Sequence, residues 1–575
     1  MVDRVIDTLR ELKVRHILGI TGGSIMALFD AAYFVDDIDV IMFRHEQGAA
    51  HAAEGYARVA KRPAVVAATS GPGATNLVTG LTDAYMDSVP VVAITGQVAT
   101  WVFGRDGFQE TDILGVATPI TKWVYQVRRP EEASPAVRIA YEISALGRPG
   151  PTLVDLPRDI QIQTPRGEAA IPINVTKFIP PRPRHEDIAR AAKIIIEAQR
   201  PVVLAGGGVL WSGATREVIE LAERIGAPIV STLPGKAAIP HNHPLYLGPA
   251  GMHGRAEADA ALANADVVIA VGTRFSDRTW GRFRELQEAV RSGDMKVIHI
   301  DIDRSEIGKN VKPTVGIVAD AREALRELID ILPVAATRDP KYMAWLYHIR
   351  RRYEDSMEKL ASEFKYFAPW KVLKTVRRAA PPNAVTVTGV GGHQMWAEIW
   401  WEVYEPGTYI TSAGLGTMGF GIPASLGAKL ADPSRPVICI DGDGSFQMTF
   451  NNLALVREYN LPFVEIIFNN AALQLVLQWQ VYMYGNRQVA TRFARNPDFI
   501  KIGEAYGIEG VRPSSYEELE KAVSWAVRNN EPMIIDVTID GDKDIVLPWV
   551  KPGDWLTQAI LPKGMEDISL YYERD

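Results

Sequence analysis

Short apolar runs alternating with helix-like amphipathic stretches recur along the whole chain, which is the pattern of parallel sheets built from β-α-β units. They fall into three blocks. In the first, "VIMF" (Val40 to Phe43), "AVVAAT" (Ala64 to Thr69), "VPVVAIT" (Val89 to Thr95) and "PTLVDLP" (Pro151 to Pro157) predict strands, and the Ala-rich "RHEQGAAHAAEGYARVAK" and "GATNLVTGLTDAYMD" predict helices. The second block offers "PVVLAGGG", "APIVST", "ADVVIAVGTR" and "KVIHIDID" as strands, and the third "AVTVTG", "VICID", "FVEIIFNN" and "MIIDVTID". The Pro- and charge-rich stretch from Pro165 to Asp187 reads as a linker, and "HIRRRYEDSMEKLASEFKYF" as a helical, charge-rich connector. The expected architecture is α/β, with three doubly wound parallel-sheet domains over 1–165, 186–335 and 366–560.

Composition narrows the function classes. A chain of 575 residues, at roughly 150 per domain, is long enough for about three or four domains. With 47% hydrophobic and 23% charged residues it has an ordinary globular balance, and a net charge of -7 gives no basic footprint for nucleic acid. The one cysteine, Cys439, lies in an apolar strand-like run, so neither a disulfide framework nor a thiolate metal site can form within the chain. No apolar run approaches the roughly 18 residues a membrane span needs, and "MVDRVIDTLRELKV" reads as an amphipathic helix rather than a signal peptide. A cytoplasmic protein without membrane or nucleic-acid partners is expected.

The candidate chemistry lies in the third block. "VICID", the helix-like "MTFNNLALVREYN" and "FVEIIF" make one right-handed crossover unit, which puts Asp443 and Asn470 at two carboxyl strand ends. Ligands bind outside those ends in open parallel sheets, where helix N-termini present free N–H groups to phosphate. One carboxylate, one amide oxygen and nearby carbonyls, with no His or Cys, form an all-oxygen set suited to Mg²⁺ shared with a diphosphate. Taken singly, Gly-Asp-Gly is most often a turn and Asn-Asn a loop. The two at this spacing resemble the signature of thiamin diphosphate (ThDP) enzymes, which implies that Asp443, Asn470 and the carbonyl of Ala472 bind Mg²⁺, with Gly442, Gly444 and Ser445 at the diphosphate. Glu46 in "FRHEQGAAHAAEGYA", which alone would be a dipole-stabilising acid, then matches the carboxylate that activates the cofactor's pyrimidine ring.

Longer segments are similar to the catalytic subunit of acetolactate synthase over nearly the whole chain. They include "RHEQGAAHAAEGYARVAKRP", "ATSGPGATNLVTGLTDAYMDSVPVVAITGQV", "DGFQETDI", "GRPGPTLVDLPRDI", "VGTRFSDR", "HIDIDRSEIGKN", "GGHQMWA", "TSAGLGTMGFGIPASLGAKL" and "LQWQVYMY". The resemblance implies a pyrimidine-binding first domain, a Rossmann-like FAD-binding middle domain and a diphosphate-binding third. It implies decarboxylation of pyruvate on ThDP and condensation of the two-carbon unit with a second 2-keto acid, toward branched-chain amino acids. Residue by residue it places Gly391 and His393 near the diphosphate, Met418 as the prop of the bent cofactor, and Gly23, Phe108 and Gln109 along the active site. Trp479 falls at the acceptor pocket. It assigns FAD contacts to Arg148, to Gly206, Gly207 and Gly208 of "AGGGVL", and to Met252, His253 and Gly254 of "GMHG". Thr273, Arg274 and Arg278 of "TRFSDR", Asp301 and Ile302 of "DID", and Asp320 of "VAD" complete that set, which catabolic acetolactate synthases lack.

Several positions depart from the family pattern. Thr21 and Ser24 replace Pro and Ala, Gly392 replaces a glutamine, and Gln474 and Leu475 stand where Gly and Met are usual, which leaves acceptor choice open. The other readings are a pyruvate oxidase or a carboligase with a different acceptor, and a catalytically silent paralogue, against which Glu46, Asp443 and Asn470 all stand. Glu46 and Asp443 belong to different blocks yet must meet one cofactor, so blocks one and three pack together, and the resemblance implies that they do so between two chains, with a homodimer the smallest expected assembly. A tetramer and a small regulatory subunit are left open.

Overall fold

The computed structural model describes residues 1–173, 175, 179–334 and 339–572. It contains three parallel six-stranded sheets. The first holds β1 (His16–Ile20), β2 (Asp39–Met42), β3 (Ala64–Ala68), β4 (Val91–Gln97), β5 (Trp123–Gln126) and β6 (Thr152–Pro157), in the order β2-β1-β3-β4-β6-β5. The second holds β7 (Pro201–Ala205), β8 (Ile229–Ser231), β9 (Tyr246–Pro249), β10 (Val267–Val271), β11 (Lys296–Asp301) and β12 (Val315–Val318), in the order β12-β11-β10-β7-β8-β9. The third repeats the order of the first with β13 (Val385–Thr388), β14 (Tyr409–Ile410), β15 (Val437–Gly442), β16 (Val464–Asn469), β17 (Glu509–Val511) and β18 (Met533–Thr538), as β14-β13-β15-β16-β18-β17.

These orders locate the ligand crevices. The second sheet has the Rossmann order, whose reversal point lies between β7 and β10; in the other two the reversal lies between the first and third strands, β1 and β3 or β13 and β15. Inner strands such as β3, β4, β7 and β10 are buried at every residue, as helices on both faces require.

One segment differs from the expectation. The stretch read as a linker to Asp187 gives way at His185 to a helix, His185–Glu197, whose inner face buries Asp187, Ile188, Ala191, Ala192 and Ile195. The charge-rich connector is helical as expected, over Pro340–Leu360, and packs through Tyr342, Leu346, Ile349, Tyr353 and Met357, buried at helical spacing.

The first and third domains pack through the helices Glu46–Ala60 and Gly421–Ala431, where a Cβ on Gly55 or Gly427 would overlap the backbone of Ala424 or Ala52. Beside them Ser412 Oγ donates to Asp83 Oδ1 (2.8 Å), and the N–H groups of Ala413 and Gly414 donate to Asp87 (2.8 and 2.6 Å). Among the described residues no helix is long and apolar enough to cross a membrane.

Candidate active site

No turn separates strand from helix at the acidic stretch. Strand β15 runs to Gly442 and a helix, Asp443–Thr449, begins at the next residue, so Asp443 occupies the first helical position, five residues before the start read from "MTFNNLALVREYN". That segment is broken, with a 3₁₀ turn at Phe450–Leu453 and a second short helix, Ala454–Glu458.

Asp443 is 1% exposed. Its Oδ1 accepts the Gly444 N–H at 2.9 Å and its Oδ2 the Asn496 Nδ2 at 2.7 Å. Asn470 follows β16; its Oδ1 accepts the Ala472 N–H (3.0 Å) and its Nδ2 donates to Asp544 Oδ2 (2.7 Å), a carboxylate also held by Trp396 Nε1 (2.6 Å). Burial pushes the Asp443 carboxyl up to about 7 and that of Asp544 to about 6. No Lys, Arg or His nitrogen of the described residues lies within ion-pair reach of Asp443. A buried carboxylate without a protein counter-charge, beside an amide oxygen and the Ala472 carbonyl, fits a hard divalent cation.

Asp443, Asn470 and Ala472 open into one cavity of about 730 Å³. Gly391, His393, Met418, Gly442, Gly444 and Ser445 line it from the third domain, and Met252, His253, Arg274 and Arg278 from the second. Gly391 ends the β13 crossing at φ +153° and caps the helix Gly392–Trp400, whose N-terminus faces the cavity. His393 stands 3.5 Å from Asp441, and burial holds its imidazole down at about 3, so the ring is neutral. A Cβ on Gly442 would stand 2.5 Å from His393 Nδ1, which explains the glycine there. Ser445 Oγ accepts the Gly419 N–H at 2.9 Å, beside Met418.

A second cavity, about 380 Å³, is lined by Arg148, Gly207, Gly208, Thr273, Asp301, Ile302 and Asp320, and Arg274 lines both. Gly206 and Gly254 line neither; a Cβ on Gly206 would overlap the Gly272 carbonyl and one on Gly254 would stand 2.5 Å from Gly251 N, so close backbone approach accounts for both. Asp320 caps the helix Ala321–Ile331 by accepting from Arg322 N, and Arg148 Nη1 donates to Glu306 Oε1 at 2.7 Å, joining the first domain to the second. The Arg274 guanidinium is largely buried, burial lowers its pKa, and it forms no ion pair among the described residues. An unneutralised cation where two cavities meet, at the reversal point of a Rossmann-ordered sheet, fits a dinucleotide pyrophosphate.

Glu46 lies elsewhere, among the strand ends of the first sheet. It is the first residue of its helix, buried, and its Oε2 accepts Asn76 Nδ2 at 2.9 Å. Gly73 is its neighbour, Gln109 packs over Gly71, and Gly23 adjoins Ser24, whose N–H donates to Thr69 Oγ1 at 3.2 Å. The segment after β3 therefore gathers Glu46, Gln109 and Gly23. Phe108 stands out into solvent, 88% exposed. Trp479, half-buried on the helix Gln474–Met483, lies one turn beyond the cavity-lining Leu475 and Val476.

Sequence reasoning missed Asn496, Asp544 and Trp396, which hold Asp443 and Asn470 in place, and Asn76, which fixes Glu46. They are lone polar residues far along the chain from what they hold, and no local spacing marks them.

These domains match known ones. Residues 1–116 match the thiamine pyrophosphate enzyme N-terminal TPP binding domain, 188–328 the central domain and 389–537 the C-terminal TPP binding domain. Fold and site together define a thiamine pyrophosphate enzyme. The chain is 41% identical to the "Probable acetolactate synthase large subunit" of Methanocaldococcus jannaschii, over 98% of this chain and 95% of that one. It is 37% identical to the "Acetolactate synthase isozyme 3 large subunit" of Escherichia coli (97% and 98% covered) and 41% identical to the "Acetolactate synthase" of Mycobacterium leprae (96% and 88%). With such identity over nearly its full length, the chain belongs to the acetolactate synthase large-subunit family.

Proposed function

We propose that the chain decarboxylates pyruvate and joins the two-carbon unit to a second 2-keto acid. Pyruvate as acceptor gives 2-acetolactate, and 2-ketobutyrate gives 2-aceto-2-hydroxybutyrate, the first common step of branched-chain amino acid biosynthesis. The observation that carries this reading is the all-oxygen set of Asp443, Asn470 and Ala472 at the mouth of a cavity of about 730 Å³ that also receives a helix N-terminus.

Thiamin diphosphate, when bound, supplies the carbon acid that adds to a 2-keto carbonyl and the electron sink for loss of CO₂. In this reading Asp443, Asn470 and the Ala472 carbonyl hold Mg²⁺ against the diphosphate, and Asn496 and Asp544 keep the first two in place. The N–H groups at Gly391 and Gly392 receive phosphate oxygens, with Gly442, Gly444 and Ser445 beside them, and Met418 supports the ring system. Glu46, held by Asn76, shares a proton with the pyrimidine ring. Gly23, Phe108 and Gln109 enclose the reacting carbons, and Trp479 shapes the acceptor pocket.

Residues of the second and third domains supply almost the whole cavity wall, whereas Glu46 belongs to the first sheet's strand ends. The likeness to acetolactate synthases supports a cofactor shared between Glu46 of one chain and Asp443 of a second, which would make the homodimer the working unit, with a small regulatory subunit as a further partner. FAD, when bound, would be held by Arg274 and the Gly207–Gly208 turn, with Met252, His253 and Arg278 among the residues that would contact it. The single buried cysteine suits a reducing cytoplasm.

The direct test is product analysis with pyruvate alone and with 2-ketobutyrate added. Acetolactate in the first and aceto-hydroxybutyrate in the second are expected, and acetaldehyde or acetate as the sole product would overturn the assignment.

A further inference from the structure

The helix Gln474–Met483 begins at the cofactor cavity, and its first residue, Gln474, lines that cavity while only 3% exposed. Both polar atoms of its carboxamide, Oε1 and Nε2, are shielded from water and lack a hydrogen-bond partner. An unmet buried donor or acceptor costs about 1–3 kcal/mol, so two on one side chain are not a neutral packing choice. The side chain rests against Gly392, where a Cβ would stand 3.0 Å from Gln474 Cγ and 3.1 Å from its Cβ. Gly392 is the first residue of the nine-residue helix Gly392–Trp400, whose free N–H groups face the same cavity. A side chain at 392 would require the glutamine at 474 to give by a few tenths of an ångström, so the two positions compete for the same space.

We propose that Gln474 is a diphosphate-binding residue of this chain, whose carboxamide Nε2 donates to a phosphate oxygen next to the N-terminus of the Gly392–Trp400 helix, and that Gly392 is a glycine to make room for it. This rests on the reading of the cavity as the ThDP site and adds a residue to it. A neutral amide donor satisfies a phosphate oxygen without a second charge beside Mg²⁺, and a turn of the now shielded carboxamide toward the cavity on binding would end its isolation. The other departure at this helix start, Leu475, offers no polar atom and takes no part.

The test measures binding without turnover, by calorimetric titration of the Mg²⁺-loaded apoenzyme with ThDP and, separately, with thiamin lacking phosphates. Gln474→Ala should lose about tenfold in ThDP affinity, the worth of one hydrogen bond of about 1.4 kcal/mol, and should leave thiamin affinity unchanged. Gln474→Glu should lose more, because a carboxylate would face the phosphates. The exchange Gly392→Gln with Gln474→Gly should recover wild-type affinity within about threefold by moving the amide to the facing position. Thermal unfolding of the apoenzyme verifies that each variant folds. Unchanged ThDP affinity in Gln474→Ala would overturn the proposal, and so would an equal loss toward ThDP and thiamin, which marks packing alone, or an effect confined to the KM for pyruvate. Product analysis is a separate measurement, so failure of the acetolactate reading and failure of this one are told apart.

Discussion

Asn496 Nδ2 lies 2.7 Å from Asp443 Oδ2 and 3.0 Å from Asn469 Oδ1, so one amide ties the carboxylate at the end of β15 to the end of β16. Removing it frees Asp443 to turn away from Asn470 without touching a residue of the proposed metal set. Asn496→Ala should therefore weaken Mg²⁺-dependent ThDP binding by about 10- to 100-fold, the usual cost of losing such a support, and excess Mg²⁺ should restore turnover. Asp443→Ala should lose binding beyond rescue. Titrations of activity against Mg²⁺ at fixed ThDP distinguish the two, and equal Mg²⁺ dependence in wild type and Asn496→Ala would refute the support.

Glu46 has a different signature. Glu46→Gln keeps the shape and the contact with Asn76 but cannot share a proton, so ThDP should bind with near wild-type affinity while exchange of the cofactor's C2 proton and turnover fall together by at least about 100-fold. Mixing Glu46→Gln with Asp443→Ala protein should recover part of the activity through mixed dimers, each with one intact site. A mixture that stays inactive after subunit exchange would place Glu46 and Asp443 of one chain at the same cofactor.

How much of this was legible in the sequence depends on what each residue answers to. The inner strands β3, β4, β7, β10, β15 and β16 are runs of buried Val, Ile and Ala, and the sequence pattern finds them all. Of the six strands it misses, β5, β9, β12, β14 and β17 are sheet edges and only β1 is internal. Of these edges β5 is half-buried throughout and β17 partly exposed, so they carry little apolar signal, while β9 and β14 are buried but only four and two residues long. Asp443 and Asn470 stand out because a chemical motif holds them close in sequence. Asn496 and Asp544 are joined to them only by folding, and the packing of Gln474 over Gly392 is visible only once the two helix starts meet.

Acid should destabilise the central domain through His299. The ring is 1% exposed, its Nε2–H donates to the Thr273 carbonyl at 2.8 Å, and burial lowers its pKa to about 4. The unfolded chain, with an imidazole near 6.5, binds the proton first, so the stability is whole above about pH 6.5 and is lost as pH falls toward about 4, at about 1.4 kcal/mol per unit. The melting-temperature advantage of wild type over His299→Gln should shrink from pH 7 to pH 5 at constant ionic strength, a difference that cancels the buried carboxyls of Asp443 and Asp544, whose raised pKa values act with the opposite sign. An advantage that stays constant over that range would remove His299 as a source.

Trp479 should set acceptor choice. It follows Leu475 and Val476 by one helical turn on the element that walls the cavity. One more methylene against an apolar wall is worth about 1–3 kcal/mol, or about 10- to 200-fold in preference for 2-ketobutyrate over pyruvate. Trp479→Leu should pull that ratio toward unity in a competition assay with both acids, with little change in ThDP affinity. A product ratio unmoved by the substitution would take Trp479 out of the pocket.

The proposed flavin site raises the question of what electrons could do there. Two pyruvates become acetolactate and CO₂ with no net oxidation, so the reaction needs no electron acceptor, and Arg274, Arg148 and the Gly207–Gly208 turn would hold FAD for its structural effect on the wall shared by the second and third domains. Enzyme loaded with FAD should therefore form acetolactate at an undiminished rate under strict anaerobiosis, and its yellow colour should persist through many turnovers. A pyruvate oxidase built on the same residues would instead pass two electrons to the flavin in each cycle, so pyruvate would bleach the colour at the catalytic rate and turnover would stop without oxygen or a quinone. Stopped-flow absorbance with pyruvate, run beside a colorimetric acetoin assay of acidified product, tells these apart. Arg274→Ala should lose FAD and, with it, acetolactate formation, by loosening Met252, His253 and Arg278 along the common cavity wall. If that variant lost FAD and kept full activity, the flavin would have no part in shaping the site, while Asp443, Asn470 and Glu46 would keep theirs.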